Sequence, residues 1–216
     1  MYANTFYEST KADVHSQNGE DGVIGAMLER MNVGPLKHQW VCEFGAWDGK
    51  YLSNTFNLVQ KGARAVFIEG DAVKFKDLRV TCDSYPNIVP ILAMVLPGSL
   101  DSLLERTAIP HDFLLLSVDI DSCDYQVWEK LATYRPRIVV IEIDSSVPPT
   151  EEKSVHGVNG RIGTGFLPML QLARSKDYEF LTHTGNMIFV RREDAHFFDI
   201  PSDPTTCFRT DWLSTR

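Results

Sequence analysis

What this sequence lacks narrows the field before any motif is read. It has no C-x-x-C pair: Cys42, Cys82, Cys123 and Cys207 are its only cysteines and lie far apart. A zinc knuckle or dithiol redox motif is therefore not written here, and free core thiols are the simpler reading. It has no long apolar run either. Stretches such as Phe113–Val118 and Ile138–Ile141 have strand length, well short of the roughly 20 residues a membrane-spanning helix needs, so a soluble protein without a membrane partner is expected. Positive charge is scarce as well: the formal net charge is −8, which disfavours a surface built for phosphate backbones and makes nucleic acid a poor candidate partner. The opening MYANTFYESTKADVHSQ lacks the basic start and apolar core of a secretory signal, so a cytoplasmic compartment is expected.

What is present is ordinary globular composition and a strong alternation. With no internal repeat, low-complexity tract or linker, the 216 residues are expected to form one domain, 1–216. Apolar runs rich in β-branched residues alternate with segments of helical period, the pattern of a parallel sheet covered by helices. A helical lead-in within 1–39, over Gly22–Met31, precedes a core over 40–144. That core reads strand Trp40–Glu43, helix Leu52–Gln60, strand Ala65–Glu69, helix Val73–Cys82, strand Ile88–Val95, helix Ser99–Arg106, strand Phe113–Asp119, helix Tyr125–Ala132 and strand Arg137–Ile143. The stretch 145–165 reads as an irregular substrate loop, the longest one in the chain. In 166–216 a helix, Phe166–Lys176, leads to strands Tyr178–His183 and Met187–Arg191, joined by the hairpin signal Thr184-Gly185-Asn186. Five alternating units followed by a terminal antiparallel hairpin predict an α/β class I methyltransferase fold, Rossmann-like, with a mostly parallel seven-stranded sheet. A dinucleotide dehydrogenase would continue with parallel units instead.

Ligands of such sheets sit beyond the carboxyl ends of the strands. The first end reads Glu43-Phe44-Gly45-Ala46-Trp47-Asp48-Gly49, a G-x-x-x-G turn with a carboxylate beside it. It lacks the G-x-G-x-x-G spacing that sets a pyrophosphate on a helix N-terminus. Glu43 suits a cationic sulfonium amino acid, although an ordinary tight turn is the bland alternative. The second strand ends at Glu69, about 20 residues on, where an adenosine ribose offers its hydroxyls to an acid. Acids then cluster after the fourth and fifth strands, at Asp119, Asp121, Asp124, Glu142 and Asp144. Like charges so placed call for a cation, a proton or a shared substrate hydroxyl, and hard oxygen ligands favour Mg²⁺ or Mn²⁺. For Asp121 or Asp124 the competing role is capping the helix that follows.

In their order and spacing these words resemble the FkbM-like family of S-adenosylmethionine-dependent methyltransferases. The likeness runs from SQNGED at Ser16–Asp21 through EFGAWDG, Ser53-Asn54-Thr55 and FIEGD. It resumes at VDIDSCDYQVWEKL, RPRIVVIEID, GTGF and GNMIFV. The resemblance implies S-adenosyl-L-methionine as cofactor, with Glu43, Gly45, Asp48, Gly49, Ser53 and Asn54 around its amino-acid end and Glu69 at its ribose. Gln17 of the opening segment joins them as a cofactor-binding residue. It also implies O-methyl transfer to a small-molecule or glycan hydroxyl. A more distant similarity to metal-dependent sugar O-methyltransferases points to Asp119, Glu142 and Asp144 as ligands of Mg²⁺ or Mn²⁺. The usual adjacent Asp-Asp pair is replaced here by Glu142-Ile143-Asp144.

Methyl transfer from a sulfonium is an in-line displacement, so the protein must align the acceptor oxygen and take its proton. Asp119, Asp121 and His156 are the candidate catalytic groups, with a solvated loop histidine as the plainer reading of His156. Two other functions remain open at this level, a nicotinamide-dependent oxidoreductase and a non-catalytic methyltransferase-like binding module; self-association into a homo-oligomer is left open too.

Overall fold

A computed structural model of the chain describes residues 4–120, 122–152, 154–158 and 161–211, without the side chains of 154–158 and of 161 and 162. Its centre is a seven-stranded sheet with spatial order β3-β2-β1-β4-β5-β9-β8. The strands are β1 (Trp40–Phe44), β2 (Arg64–Glu69), β3 (Ile88–Leu92), β4 (Leu115–Val118), β5 (Ile138–Glu142), β8 (Tyr178–His183) and β9 (Asn186–Arg191). The first five run parallel, and β9 runs antiparallel to both β5 and β8. The carboxyl ends of β1, β2, β4, β5 and β8 therefore lie along one edge.

The strands read as near-continuous apolar runs because both faces are covered. On one face Val41, Ala65, Leu115 and Val140 pack against α2 (Glu20–Arg30), α3 (Phe56–Gln60) and Leu78 of α4 (Lys74–Ser84). On the other, Cys42, Val66, Leu116 and Val139 meet α5 (Leu100–Leu104), α6 (Asp124–Lys130) and α7 (Phe166–Ser175). Alternate residues of each strand thus supply two separate apolar layers, as the period of two requires.

Most expected elements form within a few residues of their predicted bounds, and three differences have local causes. The helix read from Leu52 begins only at Phe56: Leu52 takes φ 55°, and the Ser53 hydroxyl oxygen accepts the N–H groups of Thr55 and Phe56, making a turn there. A short helix, α1 (Thr5–Thr10), was not foreseen; the buried Asn4 carboxamide caps it by accepting the Tyr7 N–H. Within the stretch read as irregular, β6 (Ser154–Val158) and β7 (Arg161–Thr164) form an antiparallel hairpin of their own. The chain over 145–165 is thus in part a β-ribbon, anchored where Asp144 N–H donates to Thr164 O.

Candidate functional site

The turn after β1 and the end of β2 make one unit. Gly45 and Ala46 donate their N–H groups to Ile68 O, and Trp47 donates its own to Glu69 Oε2 at 2.8 Å. Glu69 Oε1 accepts the Asp71 N–H at 2.7 Å. Two backbone donors thus hold a carboxylate only 6% exposed, with remaining lone pairs on both oxygens for a ligand. That is the preorganisation a ribose diol needs.

Gly45 has φ +76°, and a Cβ built on it would lie 2.0 Å from the carbonyl oxygen of Asp119 at the end of β4. The glycine is required because the turn after β1 is pressed against β4. Gly49, at φ +78°, packs instead toward Leu78 and Phe67 in the core. Its neighbour Asp48 accepts the N–H groups of Lys50 and Tyr51 through Oδ1, and its carbonyl accepts the Thr81 hydroxyl. Asp48 and Gly49 therefore shape the loop, and Asp48 borders the clefts on both sides of it.

Glu43 lies at the same edge. Its Oε2 accepts hydroxyl hydrogen bonds from Ser53 at 2.9 Å and Thr55 at 2.5 Å. Burial pushes its carboxyl up to about 7; the Thr55 and Ser53 bonds work against that shift, and the Asp119 charge adds to it. Ser53 and Asn54 are both buried. Ser53 orients Glu43, and Asn54 donates to the Ser117 hydroxyl on β4. Thr55 and Ser117 were not singled out from sequence; a second hydroxyl two residues after Ser53 was the one available signal.

Asp119 is exposed at the end of β4, where its charge acts on Glu43. Asp124 is buried, and it holds the preceding loop rather than capping α6: its carboxylate accepts the N–H groups of Ile120 and Ser122. Asp121 lies outside the described residues. The backbone of His156 belongs to β6, and its side chain is outside the description. Buried His183 has a structural role. Its Nδ1 accepts the Arg209 N–H at 3.0 Å, its Nε2 meets the Ser145 hydroxyl, and its ring stacks on Phe208. Burial holds its pKa down to about 3.

The expected metal centre does not assemble. Among the described residues no group of three or more His, Cys, Asp or Glu side chains is placed to hold a cation, so Asp119, Glu142 and Asp144 do not converge as ligands. Asp144 Oδ1 accepts both the N–H and the hydroxyl of Ser146, which closes a local turn. Gln17 lines a cleft with Tyr7, Thr184 and Arg209. No helix among the described residues is long and apolar enough to cross a membrane.

No protein-family model matches the chain, and no curated protein matches it in sequence. Solved structures do resemble it. The N-terminal domain of EvdMO1, a crystal structure with SAH bound, aligns over 81% of this chain and 80% of its own at 10% identity and TM-score 0.52. A putative O-methyltransferase from Klebsiella pneumoniae aligns over 88% and 87% at 11% identity and TM-score 0.51. The fibrillarin pre-rRNA processing protein of Methanococcus jannaschii aligns over 73% and 68% at 14% identity and TM-score 0.50. At such identities the likeness establishes architecture: the chain has the Rossmann-like class I methyltransferase fold, with the antiparallel strand between β5 and β8. Acceptors are not carried by that fold.

Proposed function

We propose that this protein is an S-adenosylmethionine-dependent O-methyltransferase acting on a hydroxyl of a sugar or other small molecule, as the resemblance to the FkbM-like group implies. The observation that carries the reading is the Glu69–Trp47–Gly45 unit: a buried carboxylate at the end of β2, fixed by two backbone amides, beside a glycine turn drawn against β4. Glu69 suits a vicinal diol, and the carboxyl group of Glu43 suits an ammonium a strand away. The turn is tied to the neighbouring strand, not opened as a pyrophosphate cradle, which leaves the nicotinamide-dependent oxidoreductase without support. A fibrillarin-like RNA acceptor is disfavoured by the net charge of −8.

The cofactor supplies an electrophilic methyl group on a sulfonium. The protein's share is to bind and orient: Glu69 takes the diol, Glu43 the amino end, and the loop after β4 faces the acceptor. An acceptor oxygen must lose its proton as its bond to carbon forms, and Asp119, exposed at the β4 end, is the carboxylate we assign to receive it. No step is routed through a metal, because Asp119, Glu142 and Asp144 do not form a ligand set.

The test is to incubate the protein with S-adenosylmethionine and a panel of neutral sugars and phenols, reading S-adenosylhomocysteine and methylated product by mass spectrometry. Acceptor-dependent formation of both supports the reading. Tight cofactor binding with no methyl release to any acceptor favours the binding module instead.

A further inference from the structure

The SQNGED segment is built with more care than a lead-in requires. Asp21 Oδ2 accepts three backbone N–H groups, from Val14, His15 and Ser16, at 2.7–2.9 Å, and the Ser16 hydroxyl accepts the Asp21 N–H. Glu20 is fully buried: Oε1 accepts from the Thr184 hydroxyl and the Asn186 carboxamide, and Oε2 accepts the Asn18 N–H. Gly19 stands at φ +92°, and a Cβ on Gly22 would lie 2.1 Å from Thr10 O. Ser16, Gly19, Glu20 and Asp21 are thus buried or locked. Gln17 alone is exposed, and its carboxamide bonds to none of the described residues.

This locked loop crosses the ligand edge of the sheet. At one end Val14 and His15 border the turn at Asp48–Leu52, and at the other the segment meets Thr184 at the end of β8. Between α1, the loop and the segment after β9 lies a cleft of about 420 Å³. Its cations are already matched, Lys11 with Glu8 and Arg209 with Glu8 and Asp211, while the Asp13 carboxylate accepts from the Ser16 hydroxyl and the Gly19 N–H. The Tyr7 hydroxyl donates to Asn18 O, and the Arg209 guanidinium covers the Tyr7 ring at 3.9 Å. The uncommitted polar groups in this wall are therefore the carboxamides of Gln17 and Asn18, each with two donors and one acceptor oxygen, and Gln17 is the more exposed of the two.

We infer that Gln17 is a specificity-determining residue of the acceptor subsite, and that the cleft it lines with Thr184 and Arg209 takes a neutral polyhydroxylated ring of the acceptor. This rests on the O-methyltransferase reading and goes beyond it in moving Gln17 from the cofactor to the acceptor. A carboxamide meets two neighbouring hydroxyls, one as donor and one as acceptor, without charge on either side. A phosphate or carboxylate would find cations already neutralised by Glu8 and Asp211, with the Asp13 carboxylate beside them.

Saturation-transfer NMR on the full chain tests this, with SAH present and an equimolar set of D-glucose, D-galactose, D-mannose and L-rhamnose beside D-glucuronate and glucose 6-phosphate. Calorimetry with SAH runs in parallel on wild type, Gln17→Ala and Gln17→Glu. We expect saturation of at least one neutral sugar, with Gln17→Ala weakening it by about five- to tenfold. SAH affinity should stay within about twofold in both variants, and Gln17→Glu should fall between wild type and Gln17→Ala for the sugar. Binding of the anionic sugars in preference to the neutral ones would overturn the inference. So would no sugar signal in protein that binds SAH, or a Gln17→Ala variant that loses SAH while keeping the sugar. Failure of wild type to bind SAH at all would instead remove the proposed function on which this rests.

Discussion

The Glu69 carboxylate and the Trp47 backbone amide are joined by a 2.8 Å hydrogen bond, so the acid at the end of β2 also fixes the turn after β1. Trp47 holds φ 44°, a conformation that costs a non-glycine residue about 1–3 kcal/mol unless its surroundings impose it. The acid proposed to bind the ribose and the turn after β1 are consequently one mechanical element.

Glu69→Gln should therefore act on both. One carboxylate oxygen becomes an NH₂ facing a backbone donor, either at Trp47 or at Asp71. We expect SAH affinity to fall by about ten- to a hundredfold and the melting temperature to drop, read by calorimetry and thermal denaturation. A folded variant with wild-type affinity would take Glu69 out of the site.

Gly45→Ala should cost about 2–5 kcal/mol of stability, since its Cβ would press on the Asp119 carbonyl in a backbone conformation that already disfavours a side chain. A side chain here bears on the proposed cofactor site as well, because the turn after β1 borders it. The contact with Asp119 ties the two losses together. Gly62→Ala is the control: φ is +100° there but nothing lies within 4 Å of the new Cβ, so only about 1 kcal/mol is expected. Equal urea midpoints for the two variants would refute the steric account.

Much of this was legible in the chain because backbone pattern and burial carry it. Of the five parallel strands, β1, β2, β4 and β5 are buried on both faces and so read as apolar runs, and the terminal hairpin is signalled by Thr184-Gly185-Asn186. Glu43, Gly45 and Glu69 could be placed because strand ends in this fold converge on one edge. What side chains do to each other across the chain was not legible. Asp144 is drawn off by Ser146, Asp48 by its own turn and Asp124 by the loop before α6, and none of these competitions leaves a mark in spacing. Thr55 stood only as the last residue of the Ser53-Asn54-Thr55 word, with no role of its own, because what distinguishes it is reaching the Glu43 oxygen that Ser53 also reaches. The β6–β7 ribbon was read as a loop because its glycines and charges, in PPTEEKSVHGVNGRIG, outweigh its short alternation.

Two buried groups should pull stability in opposite directions with pH. Glu43 has its pKa raised from 4.5 to about 7, so between those values the native state holds the extra proton and its contribution falls as pH rises. His183 has its pKa lowered from 6.5 to about 3, so over that window the unfolded chain holds the extra proton and its contribution falls as pH drops. Between pH 4.5 and 6.5 the two oppose each other. Glu43→Gln, which retains an oxygen for Ser53 and Thr55, removes one of them. Its stability relative to wild type should rise with pH across that window by up to about 1.4 kcal/mol per unit, measured by urea denaturation. Parallel pH profiles would contradict the assignment to Glu43.

Methyl transfer should persist in EDTA, because among the described residues Asp119, Glu142 and Asp144 form no group placed to hold a cation. Asp119→Asn should lower kcat by about 10²–10⁴ with little change in SAH affinity, as loss of a proton acceptor does. Activity abolished by EDTA and restored by Mn²⁺ would reverse this and return Asp119 to a metal site.

The most direct measurement of the central claim is a pair of calorimetric titrations, SAH and NAD⁺, into wild type and Glu69→Ala. The account predicts saturable binding of one SAH per chain, no heat above dilution with NAD⁺, and SAH affinity weakened in Glu69→Ala by about 1.5–3 kcal/mol. Saturable binding of NAD⁺ without SAH, or SAH affinity unchanged in a folded Glu69→Ala, would contradict it.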